Sequence, residues 1–231
     1  MYNKILLGIG ILGIICVMLI SGCTDNTSTT DTSSQIKQKY DACVIIVKMN
    51  KENISICDAI IVAMEKQNVS LCEKAGNYED MCIYDVAVIK QDATLCEKAG
   101  KYKYMCIDEV AVAKQDVSLC EKAEFPDRCT KEVAVAKQDV SLCEKAGVFT
   151  RSCIEGVAVA KQDISLCEKI GGNKNQCIKV VAIAKHDASL CEKISGSDDK
   201  FYCIALIKKD ASLCEKIYDP HKKEYCIRDI K

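Results

Sequence analysis

The sequence EVAVAKQDVSLCEKA occurs twice without a change, at residues 109–123 and 132–146. Its central motif, Ser/Thr-Leu-Cys-Glu-Lys, recurs at steps of 23 or 24 residues, and a degenerate copy, Asn53–Asp58, precedes the series. Self-similarity at a fixed period is typical of repeat proteins, whose units each bury an apolar face against the next unit. The motif begins at Ser70, Thr94, Ser118, Ser141, Ser165, Ser189 and Ser212.

Each repeat predicts a long helix followed by a short one. In the long helix, for example residues 106–115, apolar side chains recur at the spacing of a broad buried stripe. In the short helix, Ser118 and Glu121 match a capping box, and Asp116 is an alternative N-cap. A helix of about seven residues does not persist alone in water, so we expect a crosslink to hold it. Glycines follow the short helices, where helix C-terminal glycines belong: Gly76, Gly100, Gly147 and Gly171.

The cysteines supply that crosslink. Of the 18 cysteines, Cys16 lies in an apolar leader and Cys23 directly follows it. The remainder is an even set, which in an extracytoplasmic chain predicts a disulfide framework. Two pairings compete. In the first, the cysteine of a short helix bonds the cysteine at the start of the next long helix. In the second, the two bonded cysteines lie at opposite ends of one long helix, as in a Cys82–Cys96 bond.

Helix geometry favours the first pairing. Cys72 and Cys82 each lie about five residues from the middle of their loop, so they are nearly level in an antiparallel hairpin. Cys82 and Cys96 would be offset by about 6 Å along the helix axis, near the limit that a disulfide tolerates. The expected bonds are Cys72–Cys82, Cys96–Cys106, Cys120–Cys129, Cys143–Cys153, Cys167–Cys177, Cys191–Cys203 and Cys214–Cys226, with Cys43 and Cys57 left to pair with each other.

The composition requires such crosslinks. Aromatic residues make up only 5% of the chain and tryptophan is absent, so the large side chains that dominate most cores are scarce. A disulfide that closes a loop of about ten residues contributes about 2–3 kcal/mol in the chain-entropy model. We therefore expect an all-α fold over residues 38–231, an α-solenoid of disulfide-stapled helical hairpins of about 24 residues each.

The N-terminus predicts a membrane address. Lys4 precedes an apolar run that ends in Ile20-Ser21-Gly22-Cys23, so residues 1–22 have the pattern of a signal peptide. The tetrad resembles the lipobox of prokaryotic lipoproteins, and the resemblance implies cleavage before Cys23 and a lipid on its thiol. The alternative is a plain signal or an uncleaved anchor. Residues 23–37 are rich in Ser and Thr and favour a flexible linker, with a glycosylation sequon at Asn26.

The combination of lipobox, Ser/Thr-rich linker and cysteine-bearing helical repeats resembles archaeal membrane lipoproteins. The resemblance implies an extracytoplasmic location and attachment to the cell membrane through lipidated Cys23. It implies no activity.

The sequence contains no pattern that indicates catalysis, metal binding or nucleic-acid binding. The formal net charge is −1 and the charges are interspersed, so a basic footprint for nucleic acid is missing. The cysteine spacings match no zinc or iron–sulfur signature, and His186 fits a solvated helix end. We expect no enzyme activity, no cofactor and no metal. Asn53 and Asn68 head sequons, but both fit helix starts better.

Recognition is expected in the loops between bonded cysteines, which differ from repeat to repeat while the helices nearly repeat one another. Loops at equivalent positions of a solenoid commonly form its binding face, and aromatic side chains are effective anchors there. The expected partner is another surface or envelope protein. The alternative is that the rings only cover the disulfides. The candidate residues are Tyr78, Tyr102, Tyr104, Phe125, Phe149, Phe201, Tyr202 and Tyr218.

Two functions are therefore compared. The first is a cell-surface lipoprotein that acts as a structural or protein-binding scaffold. The second is an extracytoplasmic thiol-redox or metal-handling protein, which requires free thiols in the native state.

Overall fold

A computed structural model of the protein describes residues 32–50, 52–172 and 174–230. All regular elements of this part of the chain are helical, which confirms the predicted all-α class. Short 3₁₀ helices alternate with the longer α-helices. The α-helices are α1 (Thr32–Met49), α2 (Ser55–Glu65), α3 (Glu79–Lys90), α4 (Ala93–Cys96), α5 (Lys103–Lys114), α6 (Pro126–Lys137), α7 (Thr150–Ala160), α8 (Asn175–Ala184), α9 (Ser197–Lys208) and α10 (Pro220–Ile230).

The 3₁₀ helices occupy the positions where the sequence predicts short helices. The longest, Val69–Tyr78, is interrupted at Gly76. Two 3₁₀ helices have only three residues each and directly precede α5 and α7: Gly100–Tyr102 and Gly147–Phe149. Only Ala93–Cys96 (α4) among the described short segments is α-helical. The remaining 3₁₀ helices are Val117–Lys122, Val140–Lys145, Ile164–Lys169, Ala188–Lys193 and Ala211–Lys216.

The N-terminal predictions fall largely outside the described residues. The predicted signal peptide at 1–22, the predicted lipidation site Cys23 and the sequon at Asn26 all lie outside the described residues. The first helix begins at Thr32, inside the segment whose composition favours a linker. In the described ranges, none of the helices combines the length and the apolar character needed to cross a membrane.

The chain divides between Val110 and Ala111 into two compact units. In both units the long helices bury a repeated Val-Ala pair completely. Small side chains let neighbouring helices approach closely. At Gly156 of α7, for example, an added Cβ would lie 2.6 Å from a methyl group of Val135 in α6. The buried pairs are Val86-Ala87, Val110-Ala111, Val133-Ala134, Val157-Ala158 and Val181-Ala182.

The long helices α2, α3 and α5 to α9 are each followed by a left-handed residue that is not glycine. At the end of α6, Gln138 has a φ of 55°. Its N–H donates to the Val135 carbonyl at 3.0 Å, and the N–H of Asp139 donates to the Ala134 carbonyl at 2.9 Å. These two bonds form a Schellman motif, in which glycine is the usual left-handed residue. The equivalent residues are Gln67, Gln91, Gln115, Gln162, His186 and Lys209.

The residue after the left-handed position caps the next short helix. Asp116 has extended backbone angles, and its carboxylate accepts hydrogen bonds from the Ser118 N–H at 3.0 Å and the Ser118 hydroxyl at 2.7 Å. The N-cap is therefore Asp116, and the prediction of a capping box between Ser118 and Glu121 is wrong. The Schellman turn ends at the aspartate, which lies two residues before the serine. At this separation an N-cap side chain can accept a hydrogen bond from the backbone N–H of the serine.

The degenerate copy at Asn53–Asp58 also has a different role from the one that the repeat predicts. It begins the long helix α2 and does not form a short helix. Asn53 accepts a hydrogen bond from the Ser55 N–H at 3.0 Å. Asn68, in contrast, caps the 3₁₀ helix Val69–Tyr78 through the Ser70 N–H at 3.1 Å. Both asparagines thus stand at helix starts.

Eight disulfides join the sixteen cysteines of the described residues, with Cα–Cα distances of 5.4–5.9 Å. They coincide with the pairs that the hairpin geometry favours, and Cys43 bonds Cys57. In the last two hairpins the bonded cysteines are 12 residues apart, against 9 or 10 in the repeats before them. Cys82 is the fourth residue of α3, but Cys203 is the seventh residue of α9. The longer spacing thus includes a shift of the cysteine by about one helical turn.

Polar side chains at the start of long helices hold the loop of the following repeat. The Asp198 carboxylate accepts from the N–H groups of Tyr218 and Asp219 at 3.1 and 3.0 Å. Asn175 donates to the Ser195 carbonyl at 2.7 Å and accepts from the Ser195 N–H at 3.0 Å. These contacts link successive hairpins of the second unit through the backbone.

Glycines with positive φ occur where these loops turn. Gly76, Gly100 and Gly147 have φ values of 50–55°. The fourth predicted glycine, Gly171, is wrong, because the positive φ belongs to its neighbour Gly172. A Cβ at Gly100 would overlap the Asp80 carboxylate of the preceding hairpin, whereas Gly76 has open space at this point.

Candidate functional site

The loops between bonded cysteines are short and fixed at both ends. A disulfide closes each of them within 9 to 12 residues from Cys72 onward. Backbone hydrogen bonds tighten the turns, such as Phe149 N–H to the Ala146 carbonyl at 2.8 Å. Side chains on these loops are therefore presented with little conformational freedom. We call the segments between bonded cysteines from Cys72 onward, each of which includes the first residues of the following long helix, the stapled loops.

In the first unit, two of the three candidate rings pack into the protein. Tyr78 is half-buried and its hydroxyl accepts from the Asn50 amide at 2.9 Å, and burial raises the pKa of its phenol. Tyr102 is half-buried against Tyr84, with ring centroids 6.0 Å apart. Tyr104 is 46% exposed. Only Tyr104 of these three thus offers an open contact surface.

In the second unit, three candidate rings are half-buried. Phe149 packs against the apolar cluster around Val157. Phe201 and Tyr202 pack against the last cluster, which contains Ile217. Burial and the hydrogen bond to Asp229, at 2.5 Å, raise the pKa of Tyr202 to about 12. For these rings the alternative prediction, a covering role, fits their packing.

The other rings of the second unit are open. Phe125 is 52% exposed and Tyr218 is 86% exposed. Two residues outside the candidate set are also exposed, Tyr225 at 49%, a loop aromatic by sequence, and Val148 at 88%, which the sequence reasoning missed. Tyr225 lies between Cys214 and Cys226, within α10, and Val148 is aliphatic, whereas the candidates were aromatic. The loop position itself was the signal that could have identified both.

A basic group accompanies each exposed ring except Tyr218. The Arg128 guanidinium lies 5.2 Å from the Phe125 ring centroid, and the Lys103 ammonium lies 5.8 Å from that of Tyr104. Arg228 lies 4.7 Å from the Tyr225 ring. These distances are within the range of cation–π attraction. Each pair is therefore a compact contact element with an apolar face. Lys103 and Arg228 are also ion-paired, with Glu97 at 2.6 Å and Asp229 at 2.9 Å.

The first unit also contains a polar cluster that the sequence did not indicate. Lys39 donates to the buried carboxylate of Asp85, and its ammonium lies 5.1 Å from the Tyr84 ring centroid. Glu109 lies beside them, and burial raises the pKa of its carboxyl while the Tyr84 hydrogen bond and Lys39 lower it. Lys39 thus compensates acidic groups that long helices carry on an otherwise apolar face. The arrangement is a partly buried network of charged groups, and its role fits the stability of the fold.

The described cysteines are all in disulfides, and fifteen of the sixteen are at most 2% exposed. Within the ranges that the structure describes, no three His, Cys, Asp or Glu side chains come together as metal ligands. One shallow groove lies in the first unit between α1 and α2, next to Lys37, Tyr40 and Glu65. Its lining also includes Ser33, Ile36 and Ile61.

Comparison with known proteins adds no assignment. No protein-family model, curated protein or solved structure matches this chain.

Proposed function

We propose that the chain is a membrane-anchored surface lipoprotein whose helical repeats form a solenoid that binds another envelope protein. The observation that carries the proposal is the presentation of exposed rings, with basic groups beside them, on loops that disulfides hold in place. Rigid aromatic anchors lose little conformational entropy on binding, and Tyr and Arg are enriched among residues that dominate binding energy.

The contacts inside each unit support the solenoid. In the first unit α1 packs on α2 and α2 on α3, and in the second α6, α7, α8, α9 and α10 pack each on the next. Contacts between neighbours along the chain are the hallmark of solenoids. The hydrogen bonds from the side chains of Asn175 and Asp198 to the backbone of the next loop add polar contacts between successive hairpins.

The engagement of the cysteines favours a scaffold over the thiol-redox alternative. A redox or metal-handling role needs accessible thiolates, and the described cysteines are bonded and nearly all fully buried. Alkylation of the native protein, followed by mass spectrometry, separates the two functions. We expect no alkylation without reductant, and several reactive thiols would support the alternative.

Binding is tested with the full chain in detergent, crosslinked to envelope proteins of its own host. A variant with Tyr104→Ser, Phe125→Ser, Tyr218→Ser and Tyr225→Ser is expected to lose specific crosslinks at least tenfold while its helical circular dichroism is unchanged. The matched control is Ile45→Ser with Met49→Ser, which changes exposed apolar residues outside the stapled loops. Equal crosslinking by the wild type and the loop variant would contradict binding through these loops.

The membrane anchor has its own test. Cys23→Ala is expected to prevent lipidation, so that fractionation no longer recovers the lipid-modified chain in the membrane. An N-terminal peptide of the wild type that is heavier than that of the variant only by the sulfur atom of cysteine would contradict lipidation at Cys23.

A further inference from the structure

The sequons of the chain cluster near its N-terminal end. Asn-X-Ser/Thr occurs at Asn26, Asn53 and Asn68 and is absent from residues 71–231. This absence is notable because each later turn retains the Ser or Thr of the sequon two residues after an aspartate. The later repeats therefore have Asp-X-Ser/Thr where a sequon has Asn-X-Ser/Thr, and aspartate lacks the amide nitrogen that accepts the sugar.

The geometry of Asn68 is compatible with both a cap and an acceptor. Its side-chain oxygen accepts from the Ser70 N–H at 3.1 Å, while N-glycosylation uses the amide nitrogen. Asn68 and Ser70 are both exposed, at the turn between α2 and the following 3₁₀ helix. The cap therefore fixes the side chain without using the reactive atom.

Asn53 has the same arrangement at the other end of α2. Its side-chain oxygen accepts from the Ser55 N–H at 3.0 Å, and both residues are exposed. Asn53 and Asn68 thus flank one helix of about 16 Å in the first unit. The helix-start role and the sequon are two uses of different atoms of one side chain.

We propose that Asn68 and Asn53 are N-glycosylated. The ligand is an oligosaccharide transferred from a lipid-phosphate-linked donor. The amide nitrogen forms a bond with C1 of the first sugar, the bond between C1 and the phosphate oxygen breaks, the lipid phosphate leaves, and the amide loses one proton. This inference rests on the extracytoplasmic location in the proposed function, because an exposed sequon is modified only where such a donor is present.

The test uses glycopeptide mass spectrometry on the full chain, purified from a host that N-glycosylates its surface proteins. We expect a glycan on the peptides with Asn68 and Asn53. Asn68→Asp should remove the glycan and keep the cap, since aspartate caps six equivalent turns. Ser70→Ala should also remove it, and Ser70→Thr should retain it.

A gain of modification is the stronger arm. Asp92→Asn creates an Asn-Ala-Thr sequon at the turn after α3, where Thr94 N–H already donates to the residue 92 side chain at 3.0 Å. This variant should acquire one additional glycan. Unmodified Asn68 and Asn53 in a chain that carries lipid on Cys23 would overturn the glycosylation and leave the anchor intact. A chain with neither lipid nor glycan would overturn this inference and the proposed location together.

Discussion

A left-handed residue after a long helix stores conformational strain in this protein, and it is glutamine in five repeats, His186 in one and Lys209 in another. Gln138 and its equivalents adopt left-handed backbone angles that glycine or asparagine would adopt more readily. The identity of most of these residues gave no signal for such a turn, because Gln and Lys do not favour a positive φ, whereas histidine is enriched there. The aspartate that follows was an identifiable cap, and it was one of two caps that the sequence left open.

Replacing Gln138 with glycine should stabilise the protein. Gln138 is exposed and has a φ of 55°, and a left-handed residue other than glycine costs of order 1 kcal/mol. Gln138→Gly is therefore expected to raise the free energy of unfolding by about 0.5–1 kcal/mol. Denaturant unfolding with the disulfides intact measures this change. The matched control is Gln138→Ala, which retains the strain and should give no gain; an equal gain from both variants would contradict the role of φ.

Stability should fall in acid through the aspartate caps. The hydroxyl bond and then the backbone bond from Ser141 hold the pKa of Asp139 below its ordinary value of 3.8, and four equivalent caps have the same shift. A lowered pKa means that the folded state favours the carboxylate. The stabilisation is therefore complete above about pH 5 and decreases as the pH falls through 3.8 and lower.

Thermal unfolding between pH 7 and pH 2 tests this prediction. A variant with asparagine at the five caps should have a flatter profile, because asparagine caps as well as aspartate without titrating. Both proteins are produced in a host without N-glycosylation, since each substitution creates an Asn-X-Ser sequon. Glu109 acts in the opposite direction, since burial raises its pKa and its protonation favours the folded state. Identical pH profiles for the wild type and the five-fold asparagine variant would contradict the contribution of the caps. The five caps are Asp116, Asp139, Asp163, Asp187 and Asp210.

At the scale of the elements, hairpin geometry could be predicted and inter-repeat contacts could not. The pair Cys72 and Cys82 followed from their equal distances to the loop centre. The ion pair of Lys39 with Asp85 joins residues 46 positions apart, and no periodic pattern in the sequence connects them. The one-turn shift of Cys203 was also hidden, because a cysteine spacing does not reveal whether residues were added to the loop or to the helix.

Two glycines of the first unit should respond differently to alanine. Gly76 and Gly100 have φ values of 55° and 50°, and the ψ of Gly76 is −119°. Alanine is therefore expected to cost about 1–3 kcal/mol of strain at either position. At Gly100 the new methyl group would also overlap the Asp80 carboxylate. Because these atoms are the end of the Asp80 side chain, which can turn away, Gly100→Ala is expected to cost about 1 kcal/mol more than Gly76→Ala.

Denaturant unfolding of both variants measures the difference, and a double-mutant cycle identifies its cause. In an Asp80→Ala background the extra cost of Gly100→Ala should largely disappear, because the overlapping carboxylate is gone. Equal costs at Gly76 and Gly100 would show that the contact between successive hairpins does not constrain this loop.

For the whole molecule, the core is too lean in large side chains to explain its stability alone. The largest side chains that are fully buried are Met64, Ile107 and Ile178, and most of the others are valine or cysteine. The sequence predicted this substitution of disulfides for aromatic packing, since composition and cysteine count were sufficient. It could not predict which loop rings pack inward, because Tyr102 and Tyr104 differ only in where their hairpin directs them.

Reduction should therefore unfold the protein. Eight disulfides, at about 2–3 kcal/mol each in the chain-entropy model, together exceed the roughly 5–15 kcal/mol by which most domains are stable. After reduction and alkylation of all cysteines, far-ultraviolet circular dichroism at 25 °C should lose most of its helical signal. The non-reduced protein, carried through the same steps without reductant, is the control and should remain helical. A reduced and alkylated chain that keeps its helices and still unfolds cooperatively would mean that Val-Ala packing and the turn caps hold the repeats without their crosslinks.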